Sequence, residues 1–220
     1  NPLFVNVRCG AVFDKRKNVT MLGDDTGENI SERRNTFNEL TVQYWAWKNQ
    51  DADYYGLCHY RRYFAFKWNP FAPRNDENHL DAKTISDASK FGLLDERLMR
   101  KTIENYDLIV DEPLDITKKI TPSGSPKESI LEHWRAHDGF LTRMEYIYKL
   151  LNIMERKYPA IYQHAMDYLN GSRYIAFNCY IMKKALYEEF CKYEFDLLFE
   201  LGRNISGEHD SVWIERWGGY

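Results

Sequence analysis

Residues 36–63 spell out a helix that runs directly into a buried strand, and this unit constrains the fold more than any other stretch. Thr36 and Glu39 stand at the spacing of a capping box, in which each side chain bonds the other residue's backbone N–H, so the sequence predicts a helix starting near Thr36. Leu40, Tyr44 and Trp47 follow at intervals that share one helical face, and the turn-like residues 50–53 close the helix by about Asn49. Residues 54–63 (YYGLCHYRRY) come next, β-rich in their first half and basic in their second. In open α/β sheets ligands bind outside the carboxyl ends of strands, which makes the basic half of this segment a place to look for chemistry.

The rest of the chain extends the same alternation. Residues 2–13 are apolar and extended, and the glycines around Asp24 and Asp25 punctuate a turn. Residues 64–89, rich in Pro, Asn and Asp, read as a long surface excursion of the kind that is usually functional or mobile. A helix is expected over 93–105, and a short buried strand over 106–110 that Pro113 stops. Ser125 and Glu128 form a second capping box, with Pro126 at the first helical position, and predict a helix to about Asp138. Further helices are expected over 140–158 and from Pro159 to about Leu169. A strand over 173–182 (RYIAFNCYIM) leads into an amphipathic helix over 185–201 closed by Gly202. The expectation is an α/β fold, a mostly parallel or mixed sheet flanked by helices, with a helical insertion over about residues 125–170.

Composition removes several classes. With 44% hydrophobic residues in 220, the chain can bury a core and is not disordered. A net charge of −3, with basic pairs scattered at Arg33-Arg34, Lys118-Lys119 and Lys183-Lys184, gives no electrostatic reason to expect nucleic acid. No stretch approaches the roughly 18 apolar residues of a membrane span, and no secretory signal opens the chain. Cys9, Cys58, Cys179 and Cys191 show no paired spacing and read as buried free thiols of a reducing, cytoplasmic compartment.

Three polar groups are candidates for chemistry. His59, Tyr60, Arg61 and Arg62 stand where the strand runs out. Arginine presents a planar fork of donors that suits a diphosphate, and histidine adds a donor, or a cation if its pKa is raised. On an extended strand His59 and Arg61 share one face and Tyr60 and Arg62 the other. Asp24, Asp25 and Asn29 lie in a glycine-flanked loop that could hold a ribose or a metal, or simply form Asx turns and caps. Glu208 and Asp210 place carboxylates in a glycine-flanked turn, where one could act as a general base or merely be solvated. His133 and His137 share a helix face at a zinc-compatible spacing, but no third ligand can be assigned, so packing or surface roles are preferred. A nucleophile elbow, a Walker loop and a dinucleotide fingerprint are absent from the sequence.

Residues 23–31 (GDDTGENIS), 38–49 (NELTVQYWAWKN), 53–64 (DYYGLCHYRRYF) and 177–183 (FNCYIMK) resemble, in that order, a bacterial family first labelled a domain of unknown function and later recognised as galactofuranosyltransferases that build O-antigens and capsules. The resemblance runs over nearly the whole chain. It implies a GT-A-like (Rossmann-like) fold, one glycosyltransferase domain over 1–220, and inverting transfer of galactofuranose from a UDP-sugar to a lipid-linked oligosaccharide. Members carry an additional strand before the first segment and continue past the last, so the chain is expected to be incomplete at both ends and fused to other glycosyltransferase domains. The resemblance further implies that His59, Arg61 and Arg62, with Tyr60, bind the diphosphate where related enzymes use a metal held by two aspartates. No cofactor is then expected; the alternative is a divalent ion such as manganese on Asp24 and Asp25. By analogy Asn178 faces the sugar, Asp210 is the first choice of base and Glu208 the second, and the enzyme works at the inner face of the bacterial plasma membrane. A galactopyranosyl or other hexosyl transferase, or a non-catalytic glycan- or nucleotide-binding module of a larger polymerase, are the alternatives.

Overall fold

The computed structural model describes residues 1–204 apart from 17, 60, 68, 76–78 and 140–142. Its organising feature is a three-stranded sheet of β3 (Tyr54–Leu57), β7 (Tyr180–Lys183) and β4 (Leu108–Val110), with β7 in the middle. Both neighbours run antiparallel to β7, so β3 and β4 run parallel to each other. Leu57 and Val110 are both in register with Tyr180, which brings the carboxyl ends of β3 and β4 and the start of β7 to one edge. Among the described residues the parallel pairing is confined to β1 (Val7–Arg8) and β2 (Leu22–Gly23), a smaller share than the sequence suggests. β4 is a half-exposed edge strand, with Leu108 and Val110 open to solvent, where its apolar run predicts burial. A third small sheet pairs β5 (Leu114–Asp115) with β6 (Arg173–Tyr174).

The helix before β3 is interrupted. α1 (Arg34–Phe37) ends at Asn38, whose φ of 43° and ψ of −125° belong to no helix, and α2 (Leu40–Asn49) starts afresh. Thr36 therefore sits inside α1 and caps nothing, while Glu39 occupies the N-cap of α2 without bonding its backbone. The apolar stripe reads correctly: Leu40 and Tyr44 are buried, and Trp47 packs on the same cluster. After β3 come α3 (Ile85–Lys90), opened by a capping box of Thr84 and Asp87, and α4 (Glu96–Ile103), which leads to β4.

The second half is helical. α5 (Ile130–Arg135) begins at Ser129, whose hydroxyl accepts from the Glu132 N–H, later than expected because Ser125 is held in a turn with Thr121. α6 (Met144–Lys157) and α7 (Pro159–Asn170) follow, with Pro at the first position of α7 where its missing N–H costs nothing. The 173–182 segment divides into β6 and β7. α8 (Lys184–Arg203) then runs through Gly202 rather than stopping at it.

Two apolar clusters result. One joins Ile116 and the inner faces of α5, α6 and α7 to Leu197 and Leu201 of α8. The other packs Phe37, Leu40 and Tyr44 against Tyr55, Tyr180, Met182 and the Tyr187, Cys191, Phe195 and Leu198 face of α8. No helix among the described residues is long and apolar enough to cross a membrane.

Candidate functional site

The shared edge of β3, β7 and β4 collects most of the polar chemistry. Beyond Leu57 the chain does not continue as a strand: the Arg62 N–H donates to the His59 carbonyl at 3.2 Å and closes a tight turn. The alternating faces expected of an extended HYRR segment are therefore replaced by a turn that presents His59 and Arg62 side by side. Arg62 is half-buried, with its guanidinium carbon 4.1 Å from the centroid of the Phe177 ring, and cation–π attraction favours it there against the entropic cost of fixing the side chain. Arg61 is exposed, and its charge still reaches His59. Tyr60 lies outside the described residues.

Phe177 also supports His79, whose ring centroid lies 4.7 Å away. His79 Nε2 is 3.1 Å from Asp111 Oδ2, at the first residue after β4. The next residue, Glu112, pairs with Arg74 at 2.5 Å. Asn178, beside Phe177, donates to Glu39 Oε1 at 3.4 Å. The edge thus brings together His59, Arg62 and Asn178, which sequence reasoning proposed, with Glu39, His79, Asp111 and Phe177, which it did not.

Electrostatics narrow what these groups can do. Burial holds the His59 pKa below its ordinary 6.5; Glu39 pulls it up, and the charges of Arg62 and Arg61 push it down. His59 is therefore a neutral hydrogen-bonding group at pH 7, not the cation that a raised pKa would make it. The positive charge of the site comes from the arginines. Burial pushes the Cys58 thiol up to about 11 and raises Cys179, so neither is a thiolate nucleophile at neutral pH. All four cysteines are free; Cys179 and Cys191 are buried, and Cys9 and Cys58 are half-buried.

The acidic loop has a different use. Asp24 is fully buried, and its two oxygens accept from the Gly10 and Ala11 N–H groups, each at 2.8 Å, and from the Ser31 and Thr41 hydroxyls. Gly10, at a φ of 64°, turns the backbone so that these N–H groups aim inward. With four donors on two oxygens Asp24 has no capacity left for a ribose or a metal; it ties the N-terminal segment to α2. Asn29 forms an Asx turn with the Ser31 N–H, and Asp25 is exposed. No three His, Cys, Asp or Glu side chains among the described residues come together as a metal site. The His133 and His137 rings lie against each other, tilted by 45° with centroids 4.7 Å apart. Glu208 and Asp210 lie outside the described residues.

A family model described as a domain of unknown function, DUF4422, matches residues 1–220. The chain belongs to the DUF4422 family. A search of curated proteins gives no match. Among solved structures, the DUF4422 chain is similar to the apo structure of WbbM, a bifunctional glycosyltransferase, with a TM-score of 0.82 and 23% identity over 96% of this chain. The likeness establishes the fold. This chain spans 36% of the length of the WbbM chain.

The unforeseen site residues of the DUF4422 chain left faint traces in its sequence. Asp111 follows an apolar run just as His59 does, which marks a second strand end at the same level. Glu39 was disguised by its capping-box spacing to Thr36.

Proposed function

We propose that the chain is an inverting glycosyltransferase of GT-A-like architecture that moves galactofuranose from UDP-galactofuranose to a hydroxyl of a lipid-linked bacterial surface glycan, at the inner face of the plasma membrane. The fold shared with a bifunctional glycosyltransferase supports the reaction class. The observation that carries the reading to particular residues is Arg62, seated on Phe177 where β3 ends. A guanidinium with a fixed plane, beside the exposed Arg61 and the neutral His59, is suited to a departing diphosphate, whose charge grows as the glycosidic bond breaks. Asn178, next in the chain to the Phe177 that carries Arg62, is suited to a sugar hydroxyl. On this reading the donor is held by the chain's own cations and needs no resident cofactor. Asp210 and Glu208 stay candidates for the base. The furanose preference rests on the sequence resemblance.

Isothermal titration of the full-length protein with UDP in EDTA, for wild type and Arg62→Ala, tests this. Loss of one charge-assisted contact should weaken binding about tenfold or more, the equivalent of ~1.4 kcal/mol. Equal affinity of the two proteins would remove Arg62 from the donor site. Because the chain spans only part of WbbM, a second reading is a non-catalytic nucleotide- or glycan-binding module. Incubation with UDP-galactofuranose and UDP-galactopyranose separates them, since a module that binds UDP releases no sugar from either donor.

A further inference from the structure

An inverting transfer needs a group to take the acceptor proton, and one carboxylate at the strand ends is poorly engaged by the protein. Asp111 is occupied on both oxygens, by His79 at 3.1 Å and by the Glu112 N–H at 2.9 Å. Glu112 is held by Arg74 at 2.5 Å. Glu39 has one long hydrogen bond, from Asn178 at 3.4 Å, although a carboxylate offers about four acceptor positions. At the N-cap of α2 the Glu39 carboxylate makes no bond to the first N–H groups of its helix. The side chain reaches instead toward the 177–179 segment, close enough for its charge to act on both His59 and Cys179.

The backbone is built to hold it there. Asn38, just before Glu39, has a φ of 43° in a region that suits glycine, a strained conformation that persists only where its surroundings enforce it. The surroundings are specific: the Cys9 thiol at 2.9 Å and the Thr41 N–H at 3.1 Å donate to the Asn38 carbonyl, and the Thr41 hydroxyl is anchored on Asp24. The strain at Asn38, the anchor at Thr41 and the sparsely bonded Glu39 carboxylate lie within four consecutive residues beside the proposed donor site.

We infer that Glu39 is the general base of the transfer. This rests on the glycosyltransferase reading above. The acceptor oxygen bonds the anomeric carbon as its proton passes to the Glu39 carboxylate. The anomeric carbon–oxygen bond breaks, and its electron pair leaves on the diphosphate, whose charge Arg62 faces. Asn178 orients the carboxylate.

The test is Glu39→Gln in the full-length protein, with Glu39→Asp, Asp210→Asn and Arg62→Ala assayed alongside for UDP affinity, melting temperature and transfer kinetics. Glu39→Gln keeps the shape and the partner Asn178. It should lower kcat by about a hundredfold or more with UDP affinity and melting temperature unchanged, and Glu39→Asp should recover part of the loss. Arg62→Ala should show the opposite split, weakened UDP binding. Turnover of Glu39→Gln within threefold of wild type, with Asp210→Asn inactive, would overturn the assignment and place the base on Asp210. A parallel fall in melting temperature and UDP affinity would make Glu39 structural. A wild-type protein that binds UDP but transfers no sugar would overturn the transfer reading itself, and the base with it.

Discussion

The cluster beneath the strand ends and the cluster of the helical half share α8, yet they are built from different side chains. The helical half buries Ile, Leu and Met around Trp134, Tyr146 and Tyr174. The sheet half is aromatic: Phe195 touches Phe37, Tyr44, Trp47 and Phe199, and Tyr55 stacks on Tyr187. It also admits polar groups. Gln43 donates to Glu194 and to the Cys191 sulfur, and Tyr187 donates to the Gln43 carbonyl at 2.9 Å. Burial pushes the Glu194 carboxyl up to about 8. Glu194 Oε1 and Gln43 Oε1 are buried without a hydrogen-bond partner among the described residues, a cost that a neutral, protonated carboxyl reduces. A core that tolerates such groups gives up stability relative to an apolar one, and it lies directly under the residues proposed to do chemistry.

The sharpest way to break this contrast is to cut the helical core alone. Leu201→Ala removes a fully buried side chain there and should cost about 2–5 kcal/mol in denaturant unfolding, with UDP affinity unchanged. A simultaneous loss of UDP binding would mean that the two clusters are not functionally separable.

The buried acid gives a second, pH-dependent distinction. Its folded-state pKa, near 8, lies above the ordinary 4.5, so the folded protein holds a proton that the unfolded chain has released. The associated stability is complete below about 4.5 and is lost as pH rises toward 8, by at most ~1.4 kcal/mol per pH unit. His59 and His133, lowered by burial from 6.5, act in the opposite sense: their stability cost lies at acid pH and is gone above about 6.5. Between about pH 7 and 8 the melting temperature of wild type should therefore fall relative to that of Glu194→Gln and then level off. Parallel curves would show that Glu194 is already ionised at neutral pH.

The smallest effect concerns Asn38. Asn38→Gly relieves the positive φ and should raise stability by about 1 kcal/mol in thermal unfolding, while the freer backbone lets Glu39 wander and lowers turnover. A stabilised variant with full activity would separate the strain from function.

Local pattern made the helical half legible. Pro159 marks the start of α7, and α6 forms at Met144–Lys157, within the 140–158 stretch where a helix is expected. Punctuation misled where tertiary contacts overrode it: Gly202 inside α8 is carried by the packing of Leu198 and Leu201, and Thr36 lost its capping role to the break at Asn38. At the site, His59 and Arg62 could be singled out because unlike residues crowd at the end of an apolar run. Phe177 and Asp111 could not, because their meeting depends on the pairing of both β3 and β4 with β7, a register that sequence spacing does not carry. Asp24 was conspicuous for a different reason: a carboxylate among glycines marks a backbone that folds around it as readily as one that binds a ligand.

The antiparallel placement of β7 between β3 and β4 has a consequence for insertions. Both outer strands deliver their following segments to the same rim before the chain returns through β7. The strand register is set by Tyr180 standing opposite both Leu57 and Val110, so an insertion in either excursion falls outside it.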